Sequence, residues 1–409
     1  MTRTVLISGA SIAGPALAYW LHHHGFRPIV VERAPSVRGS GYPIDVRGTA
    51  VDVVDRMGAL AQLRAAHIDT RRATFVDARG RVIARMAPDQ LTGGTSARHV
   101  ELPRGDLARL LYELTRDDVE YVFNDSIAGI DEHADGVAVY LESGQERSID
   151  LVVGADGLHS NVRDFVFGPE AEFRHDLGFY FAGFALDDDW HLDSEVVIHN
   201  EPGRMAGCYA IRGRAGFTGF LAFATPSPLR FDHTDLDQQH DLVASAFAGA
   251  DWEVPRMLAA MRVADDFFFD SVSQIRMPRW TSGRVALVGD AAYAPALLSG
   301  QGTSIALVGA YVLAGELAAA GGDHRVAFPA YERVLRGFVE RNQELARSGG
   351  SLLIPRTRAQ LWLRNRLLAL LPLLGPANRL FSSQVDRTAE SIALPAYPVG
   401  SAAGKERRR

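Results

Sequence analysis

Gly9-Ala-Ser-Ile-Ala-Gly14 follows the apolar run Val5-Leu-Ile-Ser8 and precedes a helical stretch. A chain turning sharply from strand into helix needs glycine at the turn and a small residue where helix meets strand. The helix N-terminus then offers unpaired N–H groups and a partial positive charge to a pyrophosphate. Ser11 stands where the middle glycine is usual, and a serine still lets phosphate approach the backbone. Glu32 closes the next apolar run, at the spacing of a carboxylate that binds ribose hydroxyls. Two further segments, Gly154-Ala-Asp-Gly-Leu-His-Ser160 and Gly289-Asp-Ala-Ala-Tyr through Gly300-Gln-Gly302, also close apolar runs. One such turn is a weak signal, because a nucleotide-free α/β turn looks the same. Three of them are spaced to hold one long dinucleotide, FAD.

These segments need buried strands behind them. Residues 4–8 and 28–32 read as parallel strands around a helix from 13 to 24, with Pro15 in its first turn, where a missing N–H costs least. Residues 73–86 read as a hairpin turning at Asp77-Ala-Arg-Gly80. A helix is expected from 105 to 115, and an antiparallel meander from 119–123, 137–142 and 148–153. Residues 179–184, 207–211 and 217–223 are aromatic-rich strands of a second sheet, with helices at 236–249 and 254–262. The strand at 284–289 returns to the first style, and long helices follow at 303–320 and 324–349.

The chain has 409 residues, 47% of them hydrophobic, enough for two or three domains. A formal charge of −6 argues against nucleic acid as a partner. Lys405, in the polar tail, is the one lysine, which removes lysine chemistry; Cys208 is the one cysteine, which removes intrachain disulfides and thiolate clusters and fits a cytoplasmic location. The leucine-rich stretch 361–375 is interrupted by Arg364, Arg366 and Pro372 and is shorter than a membrane span, so it reads as a packed helix, with a membrane-surface helix as the second reading. His22, His23 and His24 cannot converge on one ion from consecutive helical positions. Asp232, His233 and Asp235 come nearest to a ligand set but fall in a polar connection, so no metal is expected. Arg104 precedes a helix, where a guanidinium reaches phosphate or a ring edge; alone, it would be an ordinary surface arginine.

With those residues in view, the chain resembles the single-component FAD-dependent aromatic hydroxylases, the p-hydroxybenzoate hydroxylase-like family. The likeness rests on Leu151-Val-Val-Gly-Ala-Asp156-Gly157-Leu-His-Ser160-Asn-Val-Arg163, on Gly283-Arg-Val-Ala-Leu-Val-Gly289-Asp290-Ala-Ala-Tyr-Ala-Pro295 with Gly300-Gln-Gly302, and on the N-terminal turn. It runs from residue 3 to about 320 in family order. It implies an α/β fold: a Rossmann-like FAD-binding domain (1–72, 100–172 and 271–350), an antiparallel-sheet substrate domain (73–99 and 173–270), C-terminal helices (351–400) and a disordered tail (401–409). By position it implies that Gly9, Ser11, Ile12, Ala13, Gly14, Glu32 and Arg33 hold the ADP half of FAD and that Arg104 contacts the cofactor midway. It also places Asp156 near FAD and the transient donor, NADPH or NADH, and Asp290 on the ribityl chain. Pro295, Gly300, Gln301, Gly302 and Thr303 would run along the flavin ring. The chain departs from the family at Tyr293, where histidine is frequent, and at Ser304 and Gly309, where Asn and an acidic residue are frequent.

The implied reaction is hydroxylation of an aromatic or polyketide-like small molecule with NAD(P)H and O2, through a flavin C4a-hydroperoxide, with no protein nucleophile. Baeyer–Villiger oxidation, epoxidation or antibiotic inactivation on the same flavin stays open, as does a non-oxidative binding or cyclisation role. Tyr209, Arg212, Phe220 and Phe223 are pocket candidates, or simply core. Asp45 and Arg47 approach the flavin, or lie on an ordinary surface loop. Arg204 and Arg212 are candidate oxyanion binders, or exposed. A monomer or homodimer is expected.

Overall fold

The computed structural model describes residues 2–37, 39, 41–68, 70–86, 98–186, 195–210, 216–370, 385 and 387–397. The first chain segment forms β1 (Thr4–Ser8), α1 (Ala13–His23) and β2 (Arg27–Glu32). A six-stranded sheet grows around them, in the order β17 (Thr281–Ser282), β18 (Val285–Leu287), β11 (Leu151–Gly154), β1, β2 and β7 (Glu120–Phe123). All its pairings are parallel except β17 with β18. Val5, Leu6, Ile7 and Leu151, Val152, Val153 are fully buried, which explains their unbroken apolar runs: parallel strands are covered on both faces.

Residues 120–123 correct one expectation. They form the parallel edge strand beside β2, not part of the meander. The meander is β8 (Ile127–Glu132), β9 (Val137–Leu141) and β10 (Glu146–Ile149). A short apolar run looks the same whichever neighbour it pairs with, and the neighbour here is about ninety residues away in the chain.

The second sheet has seven strands, in the order β16 (Phe268–Ile275), β12 (Arg174–Leu186), β15 (Phe217–Ala224), β14 (Arg204–Ala210), β13 (Glu195–Glu201), β4 (Arg72–Val76) and β5 (Val82–Met86). β16 runs past residue 270, so the boundary expected there cuts a strand that belongs wholly to this sheet. The sheet has two apolar faces that alternate along each strand. Tyr180, Leu221, Phe223, Cys208 and Phe269 pack with α6 (Leu236–Ala246) and α7 (Val254–Met261). Phe179, Phe181, Met205, Phe220 and Val272 point the other way, with Tyr42 and Ala296.

A separate two-stranded ribbon pairs β3 (Pro43–Arg47) with β6 (His99–Pro103). β3 runs into α2 (Thr49–Arg56) and α3 (Leu60–Ala65), and β6 into α4 (Arg104–Glu113). The β11 strand is followed by α5 (Asn161–Val166), and β18 by the short α8 (Asp290–Tyr293). Next come α9 (Gly302–Ala319), α10 (His324–Leu353) and α11 (Arg358–Leu370). Among the described residues, α9 is the one helix long and apolar enough to cross a membrane, but it is a core helix, packed on α1, α2 and α10. The chain's last described stretch closes over α9 and α2. Tyr397 covers Gly315 and donates to Glu316 at 2.8 Å, Tyr311 donates to the Pro395 carbonyl at 2.7 Å, and the Ala389 carbonyl lies 2.7 Å from where a Cβ on Gly48 would be.

Candidate active site

The three glycine-marked segments meet at the carboxyl ends of adjacent strands. Ser8 pairs with Gly154, and Gly154 with Leu287. A Cβ on Gly9 would lie 2.6 Å from the Ala155 carbonyl, and one on Gly14 would overlap the Gly9 carbonyl. A Cβ on Gly289 would lie 3.0 Å from the Ala13 Cβ. Gly9 also holds a φ of 104°, open to glycine but not to a side chain. Carboxyl ends of parallel strands are where such sheets bind ligands.

Each expected residue of the first turn has a definite place. Glu32 accepts the Ala10 N–H at 2.7 Å and the Ala34 N–H at 2.9 Å, so its carboxylate is fixed beside the first turn. Arg104 donates to Ser11 Oγ at 2.9 Å, joining the start of α4 to the same turn. Ile12 and Ala13 turn their side chains into the core, leaving only their backbone for a ligand. No side chain caps α1, so its first N–H groups are open to an anion. Arg33 is exposed at the rim.

Asp156 lies in the loop after β11. Its carboxyl accepts from the Ser160 hydroxyl, from the Val162 N–H at 3.2 Å and from the Ser8 hydroxyl at 3.4 Å, which ties it to the end of β1. Burial raises its pKa. Its neighbour His159 stands between two carboxylates, with Nδ1 2.9 Å from Glu170 and Nε2 3.1 Å from Asp270. Burial opposes the charge on this imidazole, yet the two acids carry its pKa to about 9. Glu170 is in turn held by Arg163 at 3.0 Å and Arg174 at 2.8 Å. Burial works against its charge too, but these cations and His159 depress its pKa to about 2.

Asp290 begins α8 right after Gly289, at φ 68°. It is solvent-accessible yet surrounded by chain, as a group on the wall of a deep cleft is. Burial raises its pKa, with Arg104 opposing. A Cβ on Gly302 would sit 3.6 Å from Asp290 Oδ1 and 3.9 Å from the Pro295 ring, so these residues do come together. Ala296 holds a φ of 89°, a strained conformation for a non-glycine residue, in the turn after Pro295. Gly300 takes a left-handed φ of 63°. Gln301 is fully buried, and neither its amide nitrogen nor its amide oxygen has a partner among the described residues. A buried, unpaired amide costs stability and calls for a ligand. No side chain caps α9, so the N–H groups at Gly302 and half-buried Thr303 are available as well. The glycine cradle, the fixed Glu32, the cleft-wall Asp290 and the orphaned Gln301 fit FAD.

The ribbon joins the expected Asp45 and Arg47 to two residues that the sequence reading missed, His99 and Glu101. Asp45 pairs across it with Glu101, and Arg47 with His99, so all four side chains share one face. His99 Nε2 lies 2.6 Å from Asp45 Oδ1, and Arg47 Nη2 lies 2.9 Å from Asp45 Oδ2. Burial would raise the Asp45 carboxyl, but Arg47 and His99 overcome it and hold its pKa below the usual range. Asp45 Oδ2 also sits 3.0 Å from where a Gly300 Cβ would be, and the Arg47 N–H donates to Ser304 Oγ at 3.0 Å. Asp45 and Arg47 therefore lie against the 300–304 segment, not on a surface loop. Burial and the charge of Asp45 push Glu101 up to about 7. The alternation of charged and apolar residues along both strands was the signal for this face.

Across from the ribbon, Tyr209 packs on Phe220 with ring centroids 5.3 Å apart, and Phe220 stacks on Phe181 at 6.3 Å. Tyr42 touches Phe181 and Phe268. Burial, then Glu101 and Asp45, raise the Tyr209 pKa, which puts that ring opposite the ribbon acids. Phe223 is a correction: it lies an odd number of residues from Phe220, faces α6 and α7, and stacks on Tyr180 and Phe269. Arg204 pairs with Glu201 at 3.3 Å and lies over Phe247 on that same far side. Arg212 lies outside the described residues.

A largely parallel sheet ending in glycine turns, a second sheet that is antiparallel except where β13 runs parallel to β4, and the 290–304 cradle define an FAD-dependent protein of two sheets. The FAD-binding-domain family model matches residues 2–327. An uncharacterized protein of Mycobacterium tuberculosis (strain ATCC 25618 / H37Rv) is 47% identical over 84% of this chain and 92% of its own length. A flavin-dependent monooxygenase of an unknown prokaryotic organism is 39% identical, over 84% and 88%. The crystal structure of the tetracycline destructase Tet(51) superposes with a TM-score of 0.83 at 31% identity, covering 97% of this chain and 100% of that one. The chain belongs to the p-hydroxybenzoate hydroxylase-like family of FAD-dependent monooxygenases.

Proposed function

We propose that this monooxygenase takes electrons from NADPH or NADH and inserts one oxygen atom of O2 into a planar, polycyclic, polyketide-like substrate. The observation that carries the reading is the apolar aromatic wall of Tyr209, Phe220, Phe181 and Tyr42, opposite the Asp45–Gly300 contact. A wall of flat rings beside the expected flavin edge suits a flat, apolar substrate with polar substituents. The likeness to Tet(51) supports the same substrate class.

When bound, FAD supplies the redox chemistry, in which substrate, O2, NAD(P)H and a proton give oxygenated product, NAD(P)+ and water. The chain does the rest. Glu32 and the open N-terminus of α1 would hold the adenosine and pyrophosphate end. Asp290 and the Gln301 amide would give hydrogen bonds to the middle and the ring. The N-terminus of α9 would offer its N–H groups and partial positive charge to the ring's polar edge. Tyr209, Phe220 and Phe181 exclude water and orient the substrate, while Asp45, fixed by Arg47 and His99, presents a polar edge.

The test is a panel of phenolic and polyketide ligands scored for stimulated NAD(P)H oxidation, followed by product analysis for one added oxygen. A yellow protein that oxidises NAD(P)H no faster with any of them would favour the non-oxidative role. Product connectivity separates ring hydroxylation from Baeyer–Villiger insertion. The Tet(51) likeness makes tetracyclines the first compounds to try for antibiotic inactivation.

A further inference from the structure

We propose that His159, His233 and Asp270 form a binding site for a divalent cation of the zinc class, at the joint between the two sheets. The three come from separate places: the loop between β11 and α5, the connection between β15 and α6, and β16. One ligand atom from each lies within 4.8 Å of the others. The imidazoles are already in contact, with ring centroids 3.9 Å apart and a tilt of 44°, and His159 Nε2 is 3.1 Å from Asp270 Oδ2. Zinc bonds to nitrogen and oxygen are about 2.0–2.2 Å, which puts neighbouring ligand atoms roughly 3.3 Å apart. His159 and Asp270 meet that spacing. His233 reaches it by a small rotation, which its exposed position on a connection permits.

The surroundings are those of a prepared site. A metal-binding histidine usually donates its other ring N–H to a carboxylate, which fixes tautomer and direction. His159 Nδ1 does this to Glu170 at 2.9 Å, and Glu170 is braced by Arg163 and Arg174. Asp270 Oδ1 accepts the Ser271 N–H at 2.6 Å, leaving Oδ2 toward the cluster. Neither ring nitrogen of His233 has a hydrogen-bond partner among the described residues. The His159 side chain is 31% exposed, which leaves a way in and room for water as a fourth ligand.

The proton shared by His159 and Asp270 is the competing occupant. A cation takes its place on Nε2, His159 stays neutral with Nδ1–H on Glu170, and one proton is released. Two imidazoles and one carboxylate suit zinc better than the oxygen-seeking magnesium or calcium. The ion would tie the β15–α6 connection to the β11–α5 loop.

The test titrates ZnCl2 into FAD-loaded, chelator-treated protein by calorimetry. The expected result is one ion per chain at micromolar or tighter affinity. His233→Ala, at an exposed position that leaves the fold intact, weakens binding at least tenfold, and Asp270→Asn does likewise. His133→Ala, on the turn of the meander, changes nothing. Absence of stoichiometric binding to the wild type, or full affinity in His233→Ala, overturns the proposal. Neither outcome bears on the monooxygenase reading.

Discussion

The Tyr293 hydroxyl occupies the space that a side chain on Gly309 would need. Both are positions where the family resemblance implies other residues, and the structure couples them. The Tyr293 side chain reaches across to α9, and only glycine leaves room for it. The Tyr293 hydroxyl then lies 3.0 Å from that of Tyr331, whose own hydroxyl donates to the Leu287 carbonyl at 2.9 Å. Gly309→Ala is therefore expected to destabilise the protein by about 1–3 kcal/mol through overpacking. In a Tyr293→Phe background the same substitution costs less. Thermal denaturation of the four proteins measures the coupling, and additive effects would contradict it.

Asp290→Ala removes the cleft-wall carboxylate and is expected to yield largely apoprotein. Flavin absorbance relative to protein reads this directly. Full FAD occupancy would count heavily against the placement of the cofactor along residues 290–303.

Glu101 gives a pH signature. Its folded pKa of about 7 lies above the ordinary carboxyl value, so the folded chain binds more protons than the unfolded one between about 4.5 and 7. Stability is therefore lost as pH rises through that window and is flat above it. Glu101→Gln, which has no charge to bury, should gain on the order of 1 kcal/mol over wild type at pH 8 and nothing at pH 4. Denaturant melts at the two pH values make the comparison, and an equal effect at both would refute it.

Cys208 is fully buried, and burial pushes its thiol up to about 12. The folded protein should resist a thiol reagent such as DTNB at pH 8, and one thiol should react after denaturation. Rapid labelling of the native protein would contradict this.

The parallel half of the fold was legible because strands buried on both faces leave unbroken apolar runs, as at Val5–Ile7 and Leu151–Val153. β13 escaped notice, and so did β8, where Gly129, Asp131 and Glu132 interrupt the alternation. The glycine turns predicted the cofactor cradle because backbone crowding permits nothing else at Gly9 and Gly14. The hydrogen bonds of Asp156 were not legible, since they depend on how its loop closes. Phe223 could have been set apart from Phe220 by counting: an odd separation along a strand reverses the face. His233 was noticed among its sequence neighbours Asp232 and Asp235. Asp232 instead accepts from Thr234, and Asp235 caps α6. Its true neighbours, His159 and Asp270, are distant in the chain, and no local pattern could join them.

The packing of Ala389 on Gly48 and of Tyr397 on Gly315 has a consequence for truncation. The end of the strand carrying Arg47 and the back of α9 are both covered by residues 389–397. A chain that stops short of them loses that cover while keeping every glycine of the cradle. A premature stop before codon 388 would leave those two glycines uncovered.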